Sequence, residues 1–234
     1  MFYAVLGFIL GFTIPYVARR FAKFMPATLA YAIYRIFTPN KSVSPTKKQN
    51  NAKYIKLRNR YFMRSLGWAI TTSSVLFLTY LATPSAETPW FSFFIIILFM
   101  LMEIDNRIMY LPDILTSPLL ISGFAYSSFA GFILGDDISS STANSALGAI
   151  FGYTIPVIAS LLLIKKHPNN LGGGDIKILA GIGAWLGFSN IPVVILLSCP
   201  IFAMSCYINK QKQGAFGPSI VIASLIVLFL QLYQ

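Results

Sequence analysis

Stretches of apolar residues separated by short polar turns run along almost the whole chain. Their lengths predict membrane-spanning α-helices, because a helix needs about 20 mostly apolar residues to cross the hydrocarbon core of a bilayer. The predicted spans cover residues 2–17, 66–82, 90–104, 114–134, 146–164, 176–188, 193–208 and 216–232. The pattern therefore predicts an all-α fold, a polytopic membrane bundle of about eight helices.

The composition agrees with this fold class. Of the 234 residues, 56% are hydrophobic and 11% are charged, and the mean hydropathy is +0.69. These values lie outside the range of soluble domains. The first apolar segment, residues 2–17, has no basic residue before it and no small-residue cleavage site after it. We therefore expect a retained span rather than a cleaved signal peptide.

The basic residues are distributed unevenly. The net charge of +11 is compatible with a nucleic-acid-binding protein, but the predicted loop over residues 19–64 holds twelve of the 18 Lys and Arg and no acidic residue. The other six fall in or beside predicted loops on the same side. The positive-inside rule makes that side cytoplasmic and places both termini outside. Anionic lipid explains the charge, so nucleic acid is not an expected partner.

The basic loop divides the chain into two regions. Residues 1–89 form an N-terminal membrane region, in which residues 21–37 are predicted to lie along the membrane surface and residues 39–51 to form a linker. Residues 90–234 form a second region of six predicted helices.

An acidic motif stands at the start of the short sixth span. Gly172, Gly173 and Gly174 predict a turn that delivers Asp175 to the mouth of a membrane helix. A carboxylate at a membrane span is costly and indicates function, although Asp is also a favoured N-cap residue. We expect Lys177 to extend towards the lipid headgroups.

A second acidic motif stands where the third span leaves the membrane. Asp105 is predicted to begin the loop that ends with Pro112 and Asp113, and Asp113 is predicted to be the N-cap of the next helix. Glu103 would point to another side of the helix from Asp105. The predicted topology puts Asp105 and Asp175 at the same membrane face.

Two neighbouring carboxyl groups provide one acid and one base, because they cannot both ionise easily. We predict that Asp175, at a helix N-terminus, is the base that activates water. Asp105, near a helix C-terminus, is then the protonated partner, because the helix dipole favours an anion at the first position and a neutral acid at the second.

The residues do not predict a metal site. His167 is the single histidine, and Cys199 and Cys206 are too few for a structural zinc site, which takes four ligands. We expect the cysteines to be packing residues. Gly181, Gly183 and Gly187 are expected to allow close helix packing rather than to bind a ligand.

These motifs resemble those of the type IV prepilin peptidases, a family of integral membrane aspartic peptidases. Three segments carry the resemblance: Ile104-Asp105 through Leu111-Pro112-Asp113; Gly172-Gly173-Gly174-Asp175-Ile176-Lys177 with the following Gly183-Ala184-Trp185-Leu186-Gly187; and Gly214-Ala215-Phe216-Gly217-Pro218. They make the region over residues 90–234 the peptidase domain.

The resemblance implies that Asp105 and Asp175 are catalytic. Six neighbours are expected to support them or to bind substrate: Gly172, Gly173, Gly174, Lys177, Pro112 and Asp113. The substrates would be prepilins or pilin-like secretion subunits, cleaved at the cytoplasmic face of the bacterial inner membrane before a hydrophobic helix. In many members the new N-terminus is then methylated with S-adenosylmethionine.

The first half of the chain departs from the family pattern. Many members carry two Cys-x-x-Cys pairs in the first cytoplasmic loop, and this loop has no Cys. A bound zinc is therefore not expected, and the resemblance leaves methyltransferase activity open. Two alternatives to a peptidase are a small transporter, since intramembrane acids also bind cations or relay protons, and a non-catalytic component of a pilus or secretion assembly.

Overall fold

The computed structural model describes residues 1–24, 51–134, 138–163, 172–210 and 214–233. Within these ranges the chain forms eight helices, which are α1 Phe2–Phe24, α2 Asn51–Ala82, α3 Thr88–Ile108, α4 Asp113–Leu134, α5 Ile138–Leu163, α6 Gly173–Leu186, α7 Ile191–Asn209 and α8 Gly217–Leu232. The predicted all-α fold is confirmed for this part of the chain.

Five of the helices are long and apolar enough to cross a membrane. These segments are Phe2–Phe21, Arg58–Ala82, Thr88–Ile108, Ser139–Leu162 and Ile191–Asn209, and α8 is a shorter apolar helix. Helix α6 has only 14 residues, which corresponds to about 21 Å of rise and is less than the hydrocarbon thickness of about 30 Å.

The two helices that flank the basic loop are longer than the predicted spans. Helix α1 continues to Phe24, and α2 begins at Asn51, so both helices extend into the predicted loop over residues 19–64. The surface helix predicted over residues 21–37 and the linker over 39–51 lie almost entirely outside the described residues. The loop that contains His167 also lies outside them.

The chain divides into two compact units, Met1–Leu81 and Ala82–Gln234. In the first unit α1 packs on α2 through small residues. A Cβ atom on Gly7 would meet the backbone of Ser73, and one on Gly11 would meet Trp68 and Thr72. Close approach through small residues is a common way for membrane helices to associate.

Helix α6 is central to the second unit. It contacts α4, α5, α7 and α8, and each residue over 178–186 is buried. Small residues allow this close packing, because Cβ atoms on Gly148 and Gly183 would each collide with the backbone of the other helix. The prediction that Gly181 and Gly183 serve packing is confirmed, since a Cβ on Gly181 would press into Leu119.

Polar contacts tie the C-terminal end of α6 to its neighbours. The indole Nε1 of Trp185 donates a hydrogen bond to the carbonyl of Leu119 at 2.9 Å, and the hydroxyl of Ser145 donates one to the carbonyl of Ala184 at 2.6 Å. Tyr126 stacks on Trp185 with ring centroids 5.1 Å apart. These contacts hold α6 between α4 and α5, so its N-terminal end has a defined position.

Candidate active site

Asp105 lies in the last turn of α3 rather than in a loop. The sequence predicted that this helix ends near Ile104, but α3 continues to Ile108. Met109 then adopts a left-handed conformation with φ 51° and donates its backbone N–H to the carbonyl of Asp105 at 2.8 Å. This left-handed residue ends the helix one turn after Asp105. Within that last turn the Asp105 side chain is buried and only 4% exposed.

The Asp105 carboxylate has a hydrogen-bond donor on another helix. The backbone N–H of Gly217, the first residue of α8, donates to Oδ2 of Asp105 at 2.9 Å. Helices α3 and α8 pack against each other. The sequence marks Gly217 only as part of a family motif, and the contact, which joins residues 112 positions apart, was not predicted.

Asp175 lies in the first turn of α6. Gly172 is the N-cap with extended backbone angles, and Gly173 and Gly174 are the first two helical residues. The predicted turn over the three glycines is therefore wrong for the last two. The alternative interpretation of Asp175 as the N-cap is also wrong, because Gly172 occupies that position.

The loop between α3 and α4 packs directly on the start of α6. A Cβ atom on Gly174 would lie 2.7 Å from Cβ of Leu111, so glycine allows the two segments to touch. Leu111 and Pro112 are both buried. This contact brings together the two acidic motifs, as the predicted topology required.

The two carboxyl groups interact electrostatically. Asp175 precedes the apolar part of α6 and lies outside the five candidate spans. The pKa of Asp175 is raised to about 7: burial raises it most, the charge of Asp105 raises it too, and a hydrogen bond with the Gly172 backbone lowers it. A carboxyl group with such a pKa is partly protonated near neutral pH, so it can supply the acid of an acid–base pair.

Lys177 and Asp113 form an ion pair beside these groups. Nζ of Lys177 lies 2.6 Å from Oδ1 of Asp113, a contact that the sequence did not predict, and the extension of Lys177 towards lipid headgroups stays a prediction. The predicted N-cap role of Asp113 is wrong. Helix α4 begins at Asp113 itself, and Pro112 precedes it and accepts hydrogen bonds from the N–H groups of Leu115 and Thr116.

Glu103 points away from the site, as predicted. It is completely buried, and its Oε1 accepts hydrogen bonds from Arg107, with Nη2 of Arg107 at 2.6 Å. Because the two residues are four positions apart on α3, their side chains meet on one helix face.

The residues that the structure describes contain no group of three or more His, Cys, Asp or Glu that could hold a metal ion. Cys199 and Cys206 are both free, and Cys199 is exposed on α7 rather than packed as predicted. The candidate site comprises the buried Asp105, the partly buried Asp175 and the backbone N–H of Gly217.

Comparisons with known proteins identify the family. The model of the type IV leader peptidase family matches residues 92–208, which is half of the chain. The chain is similar to the prepilin leader peptidase/N-methyltransferase of Neisseria gonorrhoeae, with 30% identity over 53% of this chain and 42% of that protein. It is also similar to the Aeromonas hydrophila protein of that name, with 37% identity over 53% of this chain and 43% of that protein.

A longer match involves the Vibrio cholerae prepilin leader peptidase/N-methyltransferase, which is 29% identical over 74% of this chain and 67% of that protein. No solved structure matches the chain. The chain matches less than half the length of the Neisseria and Aeromonas proteins. The matched family region contains both Asp105 and Asp175, and the chain belongs to the type IV leader peptidase family.

Proposed function

We propose that this chain is a membrane aspartic endopeptidase that cleaves the leader of type IV prepilins or pilin-like secretion subunits. The observation that carries the proposal is the contact of Leu111 with Gly174, which joins the two acidic motifs and puts Asp105 and Asp175 at the same end of the helix bundle; the charge of Asp105 also acts on Asp175. The printed names of the relatives supply the substrate class.

Two carboxyl groups in this arrangement can hydrolyse an amide without a metal or a covalent intermediate. The ionised carboxylate takes a proton from a water molecule, and the water oxygen attacks the scissile carbonyl. The protonated carboxyl group donates a hydrogen bond to the carbonyl oxygen and stabilises the developing charge. The C–N bond of the tetrahedral intermediate then breaks while the proton taken from the water passes to the leaving amine, and the pair returns to its single-proton state.

The position of the acids favours a peptidase over a transporter. Asp105 is in the last turn of α3 and Asp175 is in the first turn of α6. A transport pathway of the kind found in secondary transporters places its ion-binding groups at interrupted helices near the membrane midplane.

Co-expression with a prepilin substrate tests the proposal. We expect mature pilin with the wild-type chain and no processing with Asp105→Asn or Asp175→Asn, because each variant removes one ionisable group while keeping the side-chain shape. Asp136→Asn, which removes a carboxylate from the predicted outer loop, is the matched control and should process normally. Processing by either active-site variant would contradict the dyad.

The same experiment tests methylation. S-adenosylmethionine as a cofactor is suggested by the N-methyltransferase in the names of the relatives, whereas the departure of residues 1–89 from the family pattern gives no support. Mass spectrometry of the pilin N-terminus reports both the cleavage position and the mass of one methyl group. A product with a free, unmethylated N-terminus would identify a peptidase without methyltransferase activity.

We also propose eight spans in the bacterial inner membrane, with both termini outside and the peptidase domain over residues 90–234. The distribution of the 18 basic residues supports this topology. In a chain without Cys199 and Cys206, a membrane-impermeant thiol reagent should label Asp137→Cys in cells with a permeable outer membrane, whereas labelling of Ser44→Cys should require lysis. The reverse pattern would overturn the orientation.

A further inference from the structure

The first turn of α8 has one backbone donor that its own helix does not use. Helices leave their first N–H groups without intrahelical partners. Here Pro218 has no N–H, and the N–H groups of Ser219 and Ile220 donate to the carbonyl of Phe216 at 3.0 and 3.2 Å. The N–H of Gly217 donates instead to Oδ2 of Asp105. The donor at this helix terminus is therefore directed at one buried carboxylate.

The residue at position 217 has to be glycine for this contact to form. A Cβ atom there would lie 2.6 Å from Oδ2 and 3.1 Å from Cγ of Asp105, which is closer than side-chain atoms approach each other. The neighbouring Phe216 packs edge-on against Phe202 of α7, with ring centroids 5.2 Å apart. This aromatic contact fixes the start of α8 relative to α7.

The N-terminus of α8 also acts on Asp105 through its dipole. The partial positive charge of a helix N-terminus stabilises a nearby anion, and a hydrogen bond from a backbone N–H favours the ionised form of a carboxyl group. Asp105 lies near the C-terminus of its own helix, which has the opposite effect. The hydrogen bond from Gly217 is direct and buried, whereas the dipole effect of α3 on Asp105 is spread over the last turn of that helix.

We propose that Gly217 is a positioning residue whose backbone N–H holds Asp105 in the ionised form, so that Asp105 is the base of the pair and Asp175 carries the shared proton. This assignment rests on the proposed peptidase function and reverses the roles expected from the two helices that carry the acids.

The other charged groups around the pair do not explain such an asymmetry. Glu103 on α3 pairs with Arg107 one turn later, and Asp113 on α4 pairs with Lys177 on α6. Helix α8 contains no charged side chain. Neither Asp105 nor Asp175 has an ion pair with any residue in the described ranges. Asp175 has a backbone hydrogen bond with Gly172 as well, and burial together with the charge of Asp105 still brings its pKa to about 7.

The test measures kcat/KM for a prepilin substrate against pH, using the full chain in detergent or liposomes. In Gly217→Ala the new methyl group displaces the carboxylate, and we expect kcat/KM to fall about 30-fold, as for the loss of a hydrogen bond to a charged group. The acidic limb of the profile should also move by about one pH unit, because the base of the pair has then lost its hydrogen-bond donor.

Gly123→Ala is the matched control for packing. A Cβ atom on Gly123 would lie 2.7 Å from Cβ of Ala184, which is a contact of similar tightness with no acidic side chain among its nearest atoms. We expect this variant to lower stability without moving the acidic limb. A second probe replaces Gly217 by glycolic acid, which removes the N–H and adds no side chain. It should move the limb in the same direction as Gly217→Ala.

The outcomes are distinguishable. If the wild-type chain cleaves no substrate, the proposed function fails. If the wild type cleaves and the folded glycolic acid variant keeps the wild-type pH profile, the role of Gly217 fails and the peptidase proposal survives. Should Gly217→Ala not accumulate in the membrane, the glycolic acid variant alone decides, since it introduces no steric clash.

Discussion

Nζ of Lys177 lies 2.6 Å from Oδ1 of Asp113 and joins the N-terminal part of α6 to the first turn of α4. The two side chains are 49% and 60% exposed, and the residues are 64 positions apart in sequence. Each follows one of the proposed catalytic acids in its motif, so the ion pair connects the two motifs at the surface of the bundle.

We expect the Lys177–Asp113 ion pair to have a small effect on catalysis and not to be required for it. Exposed ion pairs contribute little and are screened by salt. Lys177→Gln, Asp113→Asn and the double variant should each lower kcat/KM by less than about tenfold, and the double variant should resemble the single ones. Raising the salt concentration should reduce the difference from wild type. Complete loss of cleavage in either single variant would instead indicate direct participation in the reaction.

Asp175→Asn should make the protein more stable at alkaline pH. The pKa of Asp175 rises from 3.8 to about 7 on folding, so between these values the folded chain holds a proton that the unfolded chain has released. Stability therefore falls as pH rises through that window. Asparagine does not ionise, so the variant does not lose this stability. In the wild type the loss in the free energy of unfolding amounts to about 2–4 kcal/mol above pH 7.

The measurement is the melting temperature of both proteins in detergent at pH 4 and pH 8. The melting temperature of the variant, relative to that of the wild type, should be higher at pH 8 than at pH 4. The same advantage at both pH values would contradict a folded-state pKa near 7 for Asp175.

Gly183→Ala should destabilise the contact between α5 and α6. The added methyl group would collide with the backbone at Gly148, and forcing extra atoms into a packed interface costs about 1–3 kcal/mol. Gly67→Ala on α2 is the matched control, because a Cβ there meets nothing within 4 Å and alanine is the better helix former. Thermal unfolding should separate the two variants. Equal melting temperatures would mean that the helices are not this closely packed.

Tyr126→Phe should lower stability and leave catalysis unchanged. The Tyr126 hydroxyl donates to Oε2 of Glu87 at 3.1 Å, and Glu87 is buried at the opposite end of α3 from Asp105. Removing the donor leaves a buried acceptor unsatisfied, which costs about 1–3 kcal/mol. The pH profile of kcat/KM should match that of the wild type once both proteins are compared below their melting temperatures. A shifted profile would show coupling between the two ends of the bundle.

The two acidic motifs were recognisable from the sequence, but the details of each were not. The end of α3 was predicted at Ile104, because a carboxylate following an apolar run is typical of a loop. The helix instead continues for another turn and ends at the left-handed Met109, so Asp105 belongs to the helix. The ion pair of Lys177 with Asp113 and the N–H of Gly217 near Asp105 depend on which helices are neighbours, and one sequence does not contain that information.

The sequence by itself determined the helical membrane character of this protein, its family motifs and the two acids on which its chemistry depends. Local properties set these features, since the length and composition of an apolar run decide whether it forms a membrane helix. The tertiary structure alone decided that α6 lies among four helices and that the start of α8 donates a hydrogen bond to Asp105. Such contacts follow from the shapes of packed surfaces far apart in the chain, and those surfaces meet only when the bundle has assembled.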